Sequence, residues 1–255
     1  MTASAPHARL RVAVVLATLL GVLAFACAHA HAAGLGVNQQ AGYTETLLSN
    51  EADTSRWAFV THRVIAWSAP ENTGYKVRRL TTETPDHTSE LVLALRERVY
   101  TDGSVWTEVR LPMLGHGRTG WVDRNALDRY RVVHTRIDID RGSRTASLYD
   151  NQKLIWRAPI AIGRPSAPTP AGHFYVRDRL VTTDPHGIYG PDAIAFSAYS
   201  TKHSEWPGGR IVGIHGTNRP KLIPGHAAYS CIRITNPKMR KFFKYAAPGT
   251  PVSIH

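Results

Sequence analysis

Short apolar runs with a period of two constrain the fold of this chain more than any other feature of its sequence. Val133, Thr135, Ile137 and Ile139 alternate with four polar or charged residues. Because successive side chains of an extended strand point to opposite faces, this alternation predicts a strand with one buried face. Further apolar runs follow turn-forming residues, at positions 145–149, 154–156 and 159–163. The second half of the chain is therefore predicted to contain a β-meander.

One segment near the C-terminus has the period of a helix instead. Asn236 is suited to cap the N-terminus of a helix, and Pro237 to its first position. Met239, Phe242 and Phe243 then follow at the i, i+3 and i+4 spacing of an apolar stripe. We predict a β-rich domain over residues 132–255 that carries one short C-terminal helix.

An earlier segment, residues 57–130, shows strand signals of its own. Short β-rich runs, such as 91–95, are bounded by turn sequences, such as 100–104. Five or so strands at this spacing are typical of a small antiparallel barrel. Residues 34–56 contain few apolar side chains, and we interpret them as a linker that precedes the barrel.

The N-terminus has the pattern of a secretory signal peptide, which we assign to residues 1–33. His7, Arg9 and Arg11 precede an apolar run from 12 to 26 that is too short to span a bilayer comfortably. Small residues with Ala-x-Ala spacing follow. The alternatives are an uncleaved anchor and a lipoprotein modified at Cys27. All three predict export across the cytoplasmic membrane, to the cell wall or periplasm, with membrane contact only through an anchor.

The charge of the chain limits the kinds of partner that an exported protein is expected to bind. The formal net charge is +12, and the basic residues are scattered rather than clustered. Export argues against nucleic acid, and leaves anionic envelope polymers, lipid head groups or a plain solvated surface as interpretations.

The chain has two cysteines, so cleavage after Cys27 leaves Cys231 as a lone thiol in an oxidising compartment. Such a thiol is either reactive or a small buried hydrophobe.

A histidine upstream of Cys231 favours the reactive interpretation. A thiol is a useful nucleophile only as the thiolate, so it needs a base or a cation nearby. His215 lies sixteen residues earlier, and histidine is the residue type best suited to accept the proton near neutral pH. Both residues stand beside tight turns after short β runs, where active-site residues commonly lie.

The residues around this pair resemble the catalytic domain of the L,D-transpeptidases of the YkuD type. The family pattern is a His-Gly-Thr turn, a loop containing Gly, and then Ser-His-Gly-Cys followed by an apolar residue and Arg. His215-Gly216-Thr217 and Cys231-Ile232-Arg233 match it, with the shorter spacing that the family uses. The likeness covers residues 132–255. It extends to three upstream segments, Thr169-Pro170-Ala171-Gly172-His173-Phe174, Tyr189-Gly190-Pro191 and Trp206-Pro207-Gly208-Gly209.

The resemblance implies catalytic roles for four residues. Cys231 attacks the carbonyl of a donor stem peptide of peptidoglycan, at the bond between an L-centre and a D-amino acid. His215 accepts the thiol proton and returns it to the departing D-Ala. The backbone carbonyl of Gly216 orients the imidazole, and the N–H groups of Ser230 and Cys231 form the oxyanion hole. An acceptor amine from a second stem peptide then resolves the thioester, whereas water would make the enzyme a carboxypeptidase.

Four further residues are implied in substrate binding, and no cofactor or metal is implied. Arg233 faces the carboxylate of the substrate, although a structural ion pair is an equal alternative. Tyr189 lines the donor pocket, and Thr217 and Tyr229 complete the set. The histidines show no metal-ligand spacing.

The sequence departs from the family pattern directly before the nucleophile. Ala228-Tyr229-Ser230 replaces Ser-His-Gly. The change removes a titratable histidine, for which His226 is a candidate substitute, and it restricts the turn if the position of Ser230 needs a positive φ. We expect an active enzyme with altered acceptor use.

Residues 57–130 resemble the bacterial SH3-like module, whose members bind wall peptides or pack against a catalytic domain. The likeness depends on Trp106-Thr107-Glu108-Val109, Leu111-Pro112 and Gly120-Trp121-Val122-Asp123-Arg124. We interpret Trp106 and Trp121 as core residues rather than a ligand platform. The expected fold is thus mainly β, with a small N-terminal SH3-like barrel before the catalytic domain. A cross-linking transpeptidase is the leading function, and a carboxypeptidase or a wall-binding protein with a decayed site are the alternatives.

Overall fold

The computed structural model describes residues 37–40, 42–115, 117–202, 204, 206 and 209–255. The predicted signal peptide lies outside the described residues, as do His116, Pro207 and Gly208 from the predicted turns and loops. Two β-sheets and one α-helix make up most of the described chain, which confirms the prediction of a mainly β protein. No helix among the described residues is long and apolar enough to cross a membrane.

The first sheet contains nine antiparallel strands within the described part of the chain. Its central path runs β1-β2-β6-β7-β8-β4-β5, and β3 pairs with both β6 and β9. The strands are β1 (Val37–Gln40), β2 (Tyr43–Leu47), β3 (Ser55–Phe59), β4 (Val64–Trp67), β5 (Lys76–Leu80), β6 (Leu91–Tyr100), β7 (Val105–Arg110), β8 (Thr119–Asp123) and β9 (Arg131–Val133).

Part of the core of the first sheet consists of residues at alternate positions along a strand. Thr107, Val109 and Leu111 lie at every second position along β7 and directly after it, and all three are buried. Trp106 and Trp121 are buried as well, in agreement with their interpretation as core residues. The SH3-like identity of this region stays a prediction.

The predicted linker is wrong, because residues 34–56 contribute strands to this sheet. β1 and β2 form a hairpin, β2 pairs with β6, and β3 begins at Ser55. The segment between them is also held in place, since the buried Ser49 accepts a hydrogen bond from the Arg56 N–H at 2.7 Å. Backbone pairing with β6 compensates for the small number of apolar side chains, so the segment is ordered without a core of its own.

The second sheet contains ten strands in the order β12-β11-β10-β19-β14-β15-β16-β18-β13-β17. Its strands are β10 (Thr135–Asp140), β11 (Thr145–Asp150), β12 (Lys153–Pro159), β13 (Ala161–Gly163), β14 (Gly172–Val181), β15 (Asp192–Tyr199), β16 (Ile211–His215), β17 (Gly225–Ala228), β18 (Ile232–Arg233) and β19 (Pro251–Ile254). The first three form a meander as predicted, but the run 159–163 does not continue it, because β13 pairs with β17 and β18 at the other end of the sheet. The last strand, β19, joins the meander to the rest of the sheet, because it pairs in parallel with β10 and antiparallel with β14.

The strand predicted from Val133 to Ile139 is divided between the two sheets. β9 ends at Val133 and pairs with β3 of the first sheet, whereas β10 starts at Thr135 and pairs with β11 and β19 of the second. The side-chain alternation continues through His134, so the sequence pattern does not reveal that the backbone partners change there. The boundary between the two parts therefore lies near His134 rather than before residue 132.

The C-terminal helix α1 (Asn236–Tyr245) is present, with its predicted apolar face on the core. Met239 and Phe242 are fully buried, and Phe243 packs against the same cluster. The N-cap residue is Thr235 rather than Asn236, so Pro237 is the second helical residue. The Asn236 side chain is instead a hydrogen-bond acceptor for the loop after β16.

One loop of the first sheet packs against the second sheet. This loop, residues 81–90, is called the β5–β6 loop. Glu90 at its end forms a buried ion pair with Arg177 of β14, and the neighbouring Tyr175 hydroxyl donates to the Leu91 carbonyl at 3.0 Å. Thr88 donates to Asp178 at 2.5 Å. The loop is thus fixed on β14, two strands from β16.

Candidate active site

His215 is the last residue of β16, a strand in which every residue is buried. Its Nδ1 lies 2.7 Å from the Gly216 carbonyl oxygen, the contact that the family resemblance implies. A carbonyl can only accept, so Nδ1 carries the proton and donates it. The other ring nitrogen, Nε2, then has a lone pair that can accept a proton. The imidazole is fixed in the tautomer that a general base needs.

The turn that carries Gly216 is packed tightly against the first residue of α1. A Cβ added at Gly216 would lie 2.4 Å from Asn236 Oδ1 and 3.0 Å from the Gly190 Cα. The Thr217 N–H donates to the same Oδ1 at 2.7 Å. Gly190 has a φ of +64°, in the left-handed region that glycine tolerates. Asn236 thereby holds the backbone that orients His215, a function that sequence reasoning missed because the contact spans 19 residues.

Cys231 lies directly before β18, which pairs in parallel with β16. Ile214 is opposite Ile232, and His215 is opposite Arg233. Paired residues on neighbouring strands point to the same face, and so do residues two apart on one strand. The register therefore brings Cys231, His215 and Arg233 to one face of adjacent strands.

The Cys231 side chain is completely buried. It packs with Ala193, Ala195, Trp206 and Ile211. Its Sγ lies 3.5 Å from the Ser204 Oγ. Ser204 was not identified from the sequence. Neither was Asp86 of the β5–β6 loop, which accepts a hydrogen bond from the Trp206 indole.

The turn before Cys231 adopts a conformation that usually requires glycine. Ser230 has a φ of +65°. The position where the family pattern has glycine therefore does need a positive φ in this chain. Hydrogen bonds hold the residue there: its N–H donates to the Ala167 carbonyl at 3.0 Å, and its carbonyl accepts from the Thr169 hydroxyl at 2.9 Å. The Ser230 and Ser200 hydroxyls are 2.7 Å apart.

The predicted oxyanion hole is not formed in this structure. The Ser230 N–H is engaged with Ala167, and the Cys231 N–H donates to the Tyr229 carbonyl at 2.8 Å. The tight turn around Ser230 directs both donors at acceptors of the protein. They become available to a substrate oxyanion only if these bonds are released.

The predicted substrate-binding residues occupy different depths around this centre. The Tyr189 ring meets the His215 ring edge-on, with centroids 4.9 Å apart. Arg233 and Thr217 are buried, and the Thr217 hydroxyl oxygen accepts from the Arg219 N–H at 3.0 Å. Tyr229 is exposed, and the Arg164 guanidinium lies 3.4 Å from its ring centroid.

The proposed substitute histidine, His226, does not join the pair. It is an exposed residue of β17, and β18 and β13 separate that strand from β16. Its Nδ1 is 3.4 Å from the Gly163 carbonyl oxygen. Within the described residues, no group of three or more His, Cys, Asp or Glu side chains is arranged to hold a metal ion.

Known proteins resemble the part of the chain that contains this site. The sequence model of the YkuD family, described as the L,D-transpeptidase catalytic domain, matches residues 134–254. The YkuD protein of Bacillus licheniformis, named as an L,D-transpeptidase, is 32% identical over 123 residues, which are 48% of this chain and 67% of the relative. Its counterpart in Bacillus subtilis strain 168 is 30% identical over 128 residues, or 50% of this chain and 70% of the relative.

Solved structures show a weaker likeness. The NMR structure of the catalytic domain of an L,D-transpeptidase from E. faecium is 26% identical. The match covers 48% of this chain and 96% of that one, with a TM-score of 0.35. The family relationship therefore depends on the sequence relatives.

Proposed function

Because the chain belongs to the YkuD family of L,D-transpeptidases, we propose that it is a peptidoglycan L,D-transpeptidase that uses Cys231 as its nucleophile. The supporting observation is the register of β16 and β18. The strand that ends at His215 pairs in parallel with the strand that begins directly after Cys231, and the His215 imidazole is held by the Gly216 carbonyl with Nε2 as the accepting nitrogen.

In the proposed first half-reaction, the Cys231 thiol transfers its proton to His215 Nε2, and Sγ attacks the donor carbonyl. The carbon–nitrogen bond to the terminal D-residue then breaks, and the imidazolium returns its proton to the departing amine. The products are a thioester and a free D-amino acid. The negative oxygen formed on the way needs hydrogen-bond donors, and the N–H groups of Ser230 and Cys231 serve only after leaving Ala167 and Tyr229.

In the second half-reaction, the amine of another stem peptide attacks the thioester carbonyl. The new amide is the cross-link, and the thiol is regenerated with a proton taken from the amine through His215. Tyr189, beside the imidazole, lines the proposed donor side, whereas the exposed Tyr229 is available to the acceptor. Arg233, on the same face as the pair, is proposed to contact a carboxylate of the donor.

Purified protein incubated with a disaccharide-tetrapeptide and followed by mass spectrometry tests this function. We expect a cross-linked dimer from wild type and none from Cys231→Ala or His215→Gln. His226→Gln is the matched control and should keep wild-type activity, because His226 is exposed on a distant strand.

Other products would identify the alternatives. A cysteine-dependent tripeptide without a dimer would indicate a carboxypeptidase. No product and no mass shift with a carbapenem, a class that acylates the cysteine of this family, would contradict catalysis. Such a result would favour a wall-binding protein with a decayed site.

We also propose export and an accessory role for the first sheet. The signal-like residues 1–33 support secretion to the wall or periplasm, and the N-terminal mass of the secreted protein tests it. The SH3-like motifs of residues 57–130 support a module that packs against the catalytic domain. Because Trp106 and Trp121 are buried, they are not displayed as a ligand platform.

A further inference from the structure

Trp206 forms part of the wall around the candidate nucleophile. Its side chain is only 2% exposed and shares a buried cluster with Cys231, Ala193 and Ala195. A Cβ added at Gly213 would lie 2.7 Å from the indole Cζ3. The small residues of β15 and β16 thus leave a space that the indole fills, directly beside the thiol.

Ser204 connects the backbone of Trp206 to the sulfur. Its Oγ accepts the Trp206 N–H at 3.2 Å, and its own proton is donated to the Ile211 carbonyl. The same Oγ lies 3.5 Å from Cys231 Sγ. The position of Trp206 therefore determines the position of Ser204 Oγ, which contacts the sulfur.

The polar edge of the indole is held from the other sheet. Trp206 Nε1 donates to both carboxylate oxygens of Asp86, at 3.0 and 2.9 Å. Asp86 belongs to the β5–β6 loop, outside the residues 134–254 that match the family. Burial raises the pKa of the Asp86 carboxyl, and the hydrogen bond from Trp206 counteracts this shift.

The β5–β6 loop is a rigid support for this carboxylate. The Asp86 N–H donates to the Thr84 hydroxyl oxygen at 3.2 Å, and that hydroxyl lies 2.8 Å from the Thr88 hydroxyl. Thr88 in turn donates to Asp178 of β14. The buried Glu90–Arg177 pair anchors the end of the loop.

We propose that Asp86 is a positioning residue of the active site, which acts through Trp206 and Ser204 to hold the Cys231 thiol in the geometry for acyl transfer. The first sheet is then a working part of the catalytic centre. This inference rests on the proposed function for its kinetic consequence, but its effect on the thiol is measurable without turnover. A misplacement of about 1 Å in a reacting group can cost about a hundredfold in rate.

The experiment measures two rates on the full chain in a Cys27→Ser background, so that Cys231 is the single thiol. The first is kcat for the disaccharide-tetrapeptide. The second is the rate of alkylation by iodoacetamide, taken at its plateau at high pH, where the thiol is fully ionised. The variants are Asp86→Ala, Asp86→Asn and Trp206→Phe.

For Asp86→Ala we expect opposite changes in the two rates. Loss of the acceptor lets the indole leave the sulfur, so alkylation by the small reagent becomes faster. Acyl transfer becomes slower, by about tenfold or more, because Sγ is no longer held. Asp86→Asn keeps an accepting oxygen and should fall between Asp86→Ala and wild type. Adding Trp206→Phe to Asp86→Ala should change little, since both remove the same hydrogen bond.

Asp128→Ala is the matched control. Asp128 also accepts partly buried hydrogen bonds in the first sheet, from the Phe59 N–H at 2.8 Å and from Arg131. It should lower stability and leave both rates of the folded protein unchanged. A merely structural role for Asp86 predicts the same pattern for Asp86→Ala and would overturn the proposal. A rise in both rates would also overturn it, because the indole would then cover the thiol rather than hold it in place.

Failure of the proposed function gives a different result. If wild type forms neither dimer nor tripeptide, but Asp86→Ala still accelerates alkylation, the function is wrong and the support of the thiol by Asp86 stands. If wild type turns over the substrate but Asp86→Ala is alkylated at the wild-type rate, the function stands and this inference is wrong.

Discussion

Ser230 adopts a left-handed backbone conformation next to the proposed nucleophile, with a φ of +65°. A side chain in this region costs about 1 kcal/mol relative to glycine. The residue is kept there by bonds from its N–H to Ala167, from Thr169 to its carbonyl, and between its hydroxyl and that of Ser200. Local hydrogen bonds thus hold a non-glycine residue in a strained turn.

Two substitutions separate the strain at this position from the hydroxyl contacts. Ser230→Ala and Ser230→Gly both lose the contact with Ser200, but only the alanine variant keeps the strain. We expect Ser230→Gly to be more stable than Ser230→Ala by about 1 kcal/mol. Urea unfolding measures the difference. Equal stabilities would mean that the turn does not need a positive φ in solution.

At the scale of elements, three separate segments meet behind His215. They are the turn after β16, the loop that ends at Gly190, and the first residue of α1. Asn236 Oδ1 accepts from the Thr217 N–H and would lie 2.4 Å from any Cβ at Gly216. The orientation of the imidazole is therefore set by the packing of α1 on the sheet, and not by the turn alone.

Gly216→Ala should disturb this packing and move the carbonyl that holds His215. We expect a fall in kcat of about a hundredfold, the scale associated with a misplaced catalytic group. Asn236→Ala removes the atom that clashes most closely, so the double variant should recover part of the loss.

Asn236→Ala alone is the control for this pair. It leaves the Thr217 N–H without its acceptor and should cost about 1–3 kcal/mol of stability. If the two substitutions were additive in kcat, the contact between Gly216 and Asn236 would not be what orients the imidazole.

At the scale of the whole molecule, residues 35–255 form one structural unit rather than two separate domains. Tyr175 of β14 shares a buried cluster with Trp57, Leu91, Leu93 and Leu95 of the first sheet. Arg177 and Glu90 are each about 3% exposed and form an ion pair between the sheets. Arg177 also donates to the Tyr199 hydroxyl at 2.8 Å. Because these contacts are buried, they couple the folding of the two sheets.

Breaking the buried ion pair should destabilise the entire described unit. Glu90→Ala leaves the Arg177 guanidinium buried without its carboxylate, and we expect a loss of about 3–5 kcal/mol in the free energy of unfolding. Replacing both partners, as in Glu90→Leu with Arg177→Met, should recover most of it. Thermal unfolding followed by circular dichroism should show one transition in each case.

An exposed ion pair provides the comparison. Arg96 is 45% exposed and lies 3.4 Å from Glu45 and 2.7 Å from Glu108, so Arg96→Ala should cost only about 1 kcal/mol. A loss of similar size for Glu90→Ala, or two separate transitions, would show that the sheets do not fold as a unit.

Local patterns in the sequence determined the strands and the helix, and they also indicated the proposed reactive pair. The period of two along β7 and β10 depends only on neighbouring side chains, and so does the apolar stripe of Met239, Phe242 and Phe243. The motifs around His215 and Cys231 are also local, since each is a turn of three or four residues. Such features are readable because their physical cause lies within a few residues of the chain.

Only the tertiary structure decided which segments meet. The change of sheet at His134, the position of Asn236 behind Gly216 and the hydrogen bond from Trp206 to Asp86 have no local signature. The last of these joins residues 120 positions apart. Asn236 was mistaken for an N-cap because the sequence shows its residue type and not its distant partner. Local patterns indicated the proposed catalytic pair, but long-range packing sets the geometry around it.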